Sequence, residues 1–246
     1  MLSRYYTERI GDNESGNIKG IGLTVTGLGN FLSVPLVYEH IGYTNNFGNF
    51  NYTSAAQGIS ATDNSDILGV SARVGKAFII NPKTMLIPYL AYNYSKWDRN
   101  LENTTVGNVT YFGNQEIYSY DALGVGVIGE YAITNALVVK GRLQYSRMLS
   151  NTMTAYNTPL IFNGVAVATL PPTSFSLGNN PIYTIGVGID YDLYGPLHIT
   201  AGIKYLKTYF GKSNVDNILG LGIWYINEPS SMTEGMNYSV GLAYSF

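Results

Sequence analysis

The sequence predicts an all-β protein, a single domain over residues 1–246. The expected fold is an antiparallel up-and-down transmembrane β-barrel, with ten strands preferred and twelve as the alternative. Three observations predict it: apolar and polar residues alternate in many segments, short and long connections alternate along the chain, and no run of 18 apolar residues could form a transmembrane helix.

The composition fits strands that cross a membrane. Charged residues make up 12% of the chain, yet the mean hydropathy is only +0.03, because Gly, Asn, Ser, Thr and 22 Tyr take the place of charges. Such a chain has too few charges for an ordinary soluble surface and too many polar residues for a helical membrane protein. Transmembrane strands need only about ten alternating residues each.

Several function classes are disfavoured by composition. The chain has no cysteine, so it has no disulfide, thiolate metal site or cysteine nucleophile. Its net charge is −2 without a basic cluster, which argues against nucleic acid as a partner. The first residues do not resemble a signal peptide, so we expect a mature or recombinant form.

The strands are predicted from the alternation, taken in order along the chain. They cover residues 2–10, 17–27, 30–43, 66–79, 84–97, 117–132, 136–149, 180–193, 196–210 and 235–246. The apolar faces of six of them are Leu32, Val34, Leu36 and Tyr38; Leu68, Val70, Ala72 and Val74; Leu123, Val125, Val127 and Tyr131; Leu137, Val139, Leu143 and Tyr145; Tyr183, Ile185, Val187, Ile189, Tyr191 and Leu193; and Leu197, Ile199, Ala201, Ile203 and Tyr205.

The connections alternate in length, as in outer-membrane barrels with tight periplasmic turns and longer extracellular loops. Tight turns are expected at residues 27–30, 81–83, 134–135 and 195–196, and long polar loops at 45–65, 98–116 and 150–180.

Two segments within the long connections read as additional strands. Within the longest loop, residues 158–172 read as a hairpin around Asn163–Gly164. Residues 218–227 also read as a strand, and because eleven strands cannot close an antiparallel barrel, we assign this segment to the last extracellular loop.

The face opposite the apolar one carries charges and many glycines, which suits a crowded wet lumen rather than a surface in contact with lipid. We expect acids and bases to pair there, with Glu130 beside Lys140 and Asp192 beside His198. Such pairs either plug a lumen or line a narrow pore, and both outcomes stay open. The predicted lumen-lining residues are Glu39, Arg73, Glu130, Lys140, Arg142, Asp190, Asp192, His198 and Lys204.

The last strand carries a resemblance to a known class. Tyr238, Val240, Leu242, Tyr244 and Phe246 occupy alternate positions up to the final residue. This pattern resembles the C-terminal signal of bacterial outer-membrane β-barrel proteins of the small OmpA/OmpX-like class. The resemblance implies location in the bacterial outer membrane, contact with outer-membrane lipid, and the barrel-assembly machinery as partner during insertion. An interfacial aromatic girdle is expected from Tyr92, Tyr94, Trp97, Tyr118, Tyr120, Tyr145 and Tyr205.

Ten strands is also the strand number of the omptin outer-membrane proteases. That family resemblance would require an aspartate pair facing an Asp–His pair at the extracellular rim. His40 is expected near the outer end of its strand without a suitable partner, and the Asp-x-Asp pair Asp190 and Asp192 is expected near a periplasmic turn. We therefore expect no catalytic site, metal or cofactor.

Two functions follow from these expectations. The preferred one is a narrow passive channel for ions or small solutes, with the lumen-lining charges setting conductance. The alternative is a closed-lumen structural or surface-binding barrel, adhesin-like, that uses loops 45–65, 98–116 and 150–180 to contact a ligand.

Overall fold

Ten long strands form one antiparallel barrel. A computed structural model describes residues 1–8, 11–107, 109–156, 159–162, 165–169, 171–214, 216–217 and 225–245. The barrel strands are β1 (Leu2–Glu8), β2 (Asp12–Phe31), β3 (Val34–Ser54), β4 (Ile59–Lys76), β5 (Thr84–Leu101), β6 (Gln115–Ala132), β7 (Leu137–Tyr156), β8 (Pro181–Tyr194), β9 (Leu197–Phe210) and β10 (Ser231–Tyr244). The described residues contain no helix long and apolar enough to cross a membrane.

Each barrel strand pairs with its sequence neighbours, and the short strand β1 pairs with both β2 and β10, which closes the sheet. The preferred ten-stranded barrel is therefore confirmed. Two further short strands extend the same sheet but are not counted among the ten barrel strands: Phe78–Asn81 pairs with β5, and Thr173–Ser176 pairs with the end of β7.

The connections define two ends, which we call upper and lower. Tight lower turns lie at residues 32–33, 82–83, 133–136 and 195–196, so the first turn falls a few residues after its predicted place. The upper end carries the connections after β1, β3, β5, β7 and β9. Two hairpins extend from it, Thr104–Val106 with Val109–Tyr111 and Pro159–Phe162 with Val165–Thr169.

The predicted upper loops are shortened by longer strands, since β5 and β7 continue to Leu101 and Tyr156, inside the predicted loops 98–116 and 150–180. The predicted loop 45–65 is wrong, because β3 and β4 stay paired up to a turn at residues 55–58. Phe50 and Tyr52 are buried on the inner face there, while Asn49 and Asn51 are exposed on the outer face. Alternation therefore continues, but with polar side chains outside, as expected for strands that extend beyond lipid into water.

The predicted hairpin at 158–172 is confirmed by its two strands, although Asn163–Gly164 lies outside the described residues. For segment 218–227, the structure pairs Asp216–Asn217 with Tyr225–Ile226 above β9 and β10. Residues 218–224 lie outside the described part of the chain. The paired residues belong to the last upper connection, as predicted.

An apolar band surrounds the outside of the barrel. Its side chains are exposed Leu, Val, Ile and Tyr, such as Leu23, Leu90, Val125 and Val187. Such a band is the expected lipid-facing surface of a transmembrane barrel. Its upper edge is marked by outward-facing charged residues on seven strands: Lys19, Asp66, Lys96, Asp121, Arg147, Lys207 and Glu234.

Candidate functional site in the barrel interior

The candidate site is the inner surface of the barrel, where most of the predicted lumen residues lie. Alternation and register place eight of them on inward-facing positions: Arg73, Glu130, Lys140, Arg142, Asp190, Asp192, His198 and Lys204. They occupy two levels in the lower half of the barrel, and a third, unpredicted set fills the upper half.

Glu39 does not line the lumen, so that prediction is wrong. It is exposed on the outer face opposite Gly27, whereas its neighbours Tyr38 and His40 point inward. The reason is local: Leu36 adopts a φ of 56°, in the left-handed region, which interrupts the two-residue alternation at the start of β3. The acid expected among the luminal bases is therefore missing from the interior.

The lowest level is a paired network. The Lys140 Nζ lies 3.5 Å from Glu130 Oε1 and donates a 3.0 Å hydrogen bond to Asp190 Oδ2. Asp190 Oδ1 also lies 2.9 Å from His198 Nδ1. The predicted pair of Glu130 and Lys140 is confirmed. Asp192 is opposite His198 in the register as predicted, but His198 bonds to Asp190.

Above this network lie three cations. Arg142 and Lys204 are in one register row, separated by Gly186 on β8, and Arg73 projects from β4. The Arg73 guanidinium lies 5.7 Å from the centroid of the Tyr89 ring. None of the three forms an ion pair with a described acid, and the Nε atoms of both arginines are buried without a hydrogen-bond partner in the described part of the chain.

A small core packs beside this cation level, along the wall formed by β3 to β6. The Tyr89 hydroxyl donates a 3.1 Å hydrogen bond to Gln144 Oε1, and Gln144 donates to Ser146 Oγ at 2.9 Å. Tyr89, Gly126 and Gln144 are consecutive in one register row of β5, β6 and β7, so these contacts hold the Tyr89 ring over Gly126 along the wall of the barrel. The core consists of Tyr38, Ala77, Ile87, Tyr89, Ala91 and Ile128.

An aromatic layer fills the upper half of the lumen. Trp97 stacks on Tyr118 with ring centroids 5.2 Å apart, and Tyr6 and Phe210 pack edge-on at 5.3 Å from Trp97 and 5.6 Å from Tyr118 respectively. Tyr6 is 0%, Tyr118 2% and Trp97 3% exposed. The predicted girdle positions of Trp97, Tyr118 and Tyr120 are therefore wrong: these rings face inward, whereas Tyr92 and Tyr145 face outward.

A cavity of about 60 Å³ lies against the lower side of this layer. Arg4 lines this cavity, with its guanidinium carbon 3.5 Å from the centroid of the Trp97 ring. It donates a hydrogen bond to Thr233 Oγ1 at 3.2 Å. Other lining residues are Leu2, Ile67, Ser95, Tyr120 and Leu206.

A buried ionic cluster covers the aromatic layer from above. The Arg99 guanidinium forms ion pairs of 3.0 Å with Glu14 and 2.7 Å with Glu116, and its side chain is 2% exposed. Trp97 Nε1 donates a 2.8 Å hydrogen bond to Ser65 Oγ, which donates a 2.5 Å bond to Asp63. Burial of this kind requires close pairing, because desolvated charges without partners are costly.

The last upper connection is tied to the same cluster. Tyr118 donates a 2.6 Å hydrogen bond to Glu228 Oε1. Burial first, and then the nearby carboxylates of Glu116 and Glu8, raise the pKa of the Glu228 carboxyl to about 8. Glu228 therefore holds its proton at neutral pH.

The omptin-like arrangement is not found in the described residues. Both histidines of the chain lie in the lower half, since β3 continues 14 residues beyond His40 to Ser54. The predicted location of His40 near the outer end is wrong for that reason. The Nδ1 atom of His40 instead lies 3.2 Å from Thr26 Oγ1. No group of three His, Asp or Glu side chains is arranged to hold a metal ion among the described residues.

Sequence reasoning missed the upper cluster of Tyr6, Glu14, Arg99 and Glu116. Arg99 and Glu116 fall in the predicted loop 98–116 and Glu14 falls between the first two predicted strands, because these segments are polar, whereas Tyr6 falls within the first predicted strand. A usable signal was present: Trp97 and Arg99 continue the inward parity of Tyr89 and Ala91 on β5.

Comparison with solved structures places this fold among outer-membrane barrels. The outer-membrane protease OmpT from Escherichia coli superposes with a TM-score of 0.69 at 10% sequence identity, covering 100% of this chain and 93% of that one. The translocator domain of the autotransporter NalP from Neisseria meningitidis has a TM-score of 0.36 at 12% identity, covering 100% and 86% of the two chains.

A TodX monoaromatic hydrocarbon channel mutant likewise gives a TM-score of 0.36 at 12% identity, covering 100% of this chain and 69% of that one. No protein-family profile and no curated protein sequence matches the chain. The likeness to OmpT supports the barrel fold, and at this identity it carries no information on activity.

Proposed function

We propose that this protein is a closed barrel of the bacterial outer membrane that presents its upper end, outside the cell, as a binding surface. The observation that carries this proposal is the buried aromatic layer of Tyr6, Trp97, Tyr118 and Phe210, whose rings pack against one another from four strands and are at most 4% exposed. The passive channel favoured by the sequence would require these rings to move aside.

The upper part of the barrel supports the presentation role. Strands β3 and β7 continue well beyond the outward charges that mark the edge of the apolar band, and their outer side chains become polar. On the outer face, the hydroxyls of Thr154 and Ser174 form a 2.8 Å hydrogen bond, and the hydroxyls of Ser119 and Thr152 form one of 3.0 Å. A polar surface of this type, with two hairpins at the same end, suits recognition of a partner in water.

The remaining expectations become parts of the same proposal. Tyr238, Val240, Leu242 and Tyr244 face outward on β10 and suit contact with lipid and with the assembly machinery, whereas Phe246 lies outside the described residues. We also propose that the protein is not an enzyme, because Glu14 and Glu116 are engaged with Arg99, Asp63 and Glu228 accept hydrogen bonds from Ser65 and Tyr118, and both histidines lie in the lower half. Loops 98–116 and 150–180, with the β3–β4 turn, are the proposed contact sites.

A planar-bilayer recording tests the closed lumen. The wild-type protein is expected to insert without steady conductance. A Trp97→Ala/Tyr118→Ala double variant removes two stacked rings and is expected to conduct. The control is Tyr92→Ala/Tyr145→Ala, which removes two outward rings and leaves the layer intact. Steady conductance from the folded wild type would overturn the proposal.

A further inference from the structure

The three cations above the lower network lack the acidic partners that Lys140 and Arg99 have. Lys140 is shared by two acids and Arg99 by two others. By contrast, Arg73, Arg142 and Lys204 have no ion pair with any described acid. Charged residues at membrane depth are costly and usually mark a functional site with a partner of opposite charge.

The acids nearest to these cations are already engaged. Glu130 and Asp190 both contact Lys140, and Asp190 also binds His198. Asp192 lies further down β8, next to the lower turn. Glu39, the acid closest to Arg73 in sequence register, faces outward. The interior therefore carries a local excess of positive charge at the level of Arg73, Arg142 and Lys204.

The geometry leaves hydrogen-bond donors available at this level. The Nε atoms of Arg73 and Arg142 are buried without a described partner. A guanidinium presents donors in a planar fork that matches an oxyanion. Neutral groups such as the Gln144 amide and the Asn237 side chain, which is opposite Lys204, share the same inner surface.

Small residues keep space beside the cations. A Cβ atom at Gly186 would lie in ordinary van der Waals contact with the Arg142 guanidinium, 3.8 Å from Nε, so this small residue borders the guanidinium between β7 and β9. Gly188 and Gly202 face each other one inward position lower. All three cations are partly exposed, which indicates that they border a water-accessible space.

We propose that Arg73, Arg142 and Lys204 form an anion-binding site within the lower lumen, for a small phosphate-class oxyanion with more than one negative charge. Such an anion would offset the positive charge of the three cations and accept hydrogen bonds from the Nε atoms of Arg73 and Arg142. It would enter from the lower end, because the aromatic layer closes the upper one. This inference goes beyond the proposed function and needs only access from below.

Isothermal titration with inorganic phosphate on the detergent-folded protein, in a chloride-poor buffer, tests the site. We expect saturable binding to the wild type with one site per chain. Arg142→Gln is expected to weaken binding by about tenfold or more, since it removes a charge-assisted bidentate contact. The matched control is Arg147→Gln, which removes a cation from the outer face of the same strand and should leave the affinity unchanged.

Folding is checked by heat-modifiable gel mobility, and Lys204→Gln replaces Arg142→Gln if the latter does not fold. A parallel titration uses short-chain phosphatidic acid in the same micelles, to separate free phosphate from a lipid headgroup. Absence of phosphate binding by the wild type would overturn the proposal. Equal weakening by Arg147→Gln, equally strong binding of chloride, or binding of the lipid alone would do so too.

Discussion

Arg99 and Glu116 form a 2.7 Å ion pair inside the barrel, above the level of the lipid-facing band. Glu14 forms a second ion pair with the same guanidinium, at 3.0 Å. This ionic cluster rests on the stacked rings of Trp97 and Tyr118, so charge pairing and aromatic packing close the lumen together. The same interior holds unpaired cations lower down, which makes the two halves chemically different.

The first prediction concerns the buried ion pair. Arg99→Ala leaves Glu14 and Glu116 without their partner, and breaking a buried pair in this way costs about 3–5 kcal/mol. We expect the free energy of unfolding, measured by urea titration in lipid vesicles, to fall by this amount. Arg147→Ala, at an exposed outer position, should change it by less than about 0.5 kcal/mol. Equal losses in the two variants would contradict the buried role of Arg99.

The second prediction concerns Glu228 and pH. Its pKa is raised from 4.5 to about 8, so the folded state favours the protonated carboxyl. The resulting stability is fully present below pH 4.5 and is lost as the pH rises through about 8.

Thermal unfolding of wild type and Glu228→Gln checks this dependence on pH. Glutamine keeps an acceptor for Tyr118 and carries no charge at any pH, so the wild type should lose Tm relative to this variant between pH 6 and pH 9. A constant difference across that range would count against a protonated Glu228.

The third prediction tests the lipid-facing band. Val187 is 58% exposed on the outer face near the middle of β8. Val187→Arg is expected to destabilise the barrel by about 2–4 kcal/mol in vesicles, the usual cost of arginine at the bilayer midplane. Thr152→Arg, on the outer face of β7 above the band, should cost about 0–1 kcal/mol. If both variants cost the same, the assigned band is at the wrong height.

The fourth prediction concerns close packing inside the lower wall. A Cβ atom at Gly126 would lie 2.4 Å from Tyr89 Cζ and 2.6 Å from the Leu143 carbonyl oxygen. Gly126→Ala should therefore destabilise by about 1–3 kcal/mol, as overpacking does. Nothing lies within 4 Å of the corresponding point at Gly141, so Gly141→Ala should be neutral in the same unfolding assay. A neutral Gly126→Ala would show that the Tyr89 ring is not fixed over Gly126.

Several details could be predicted from sequence because they depend only on the alternation of side chains between the two faces of a strand and on the spacing of turns. The inward positions of Lys140 and Arg142 followed from alternation on one strand, and the Glu130–Lys140 pair followed from a tight turn with a fixed register. The details that failed depend on single backbone irregularities or on strand length. One left-handed residue, Leu36, turned Glu39 outward, and polar outer residues concealed the extension of β3 to Ser54.

The sequence by itself predicted an antiparallel transmembrane barrel with ten strands preferred over twelve, because a two-residue alternation interrupted by turn residues is a local property of the chain. The tertiary structure alone decided which groups meet inside it. Trp97 and Tyr118 come together from different strands with Tyr6 and Phe210, and Arg99 reaches Glu14 from across the sheet. Such contacts depend on register and curvature summed over all ten strands, which no short segment encodes.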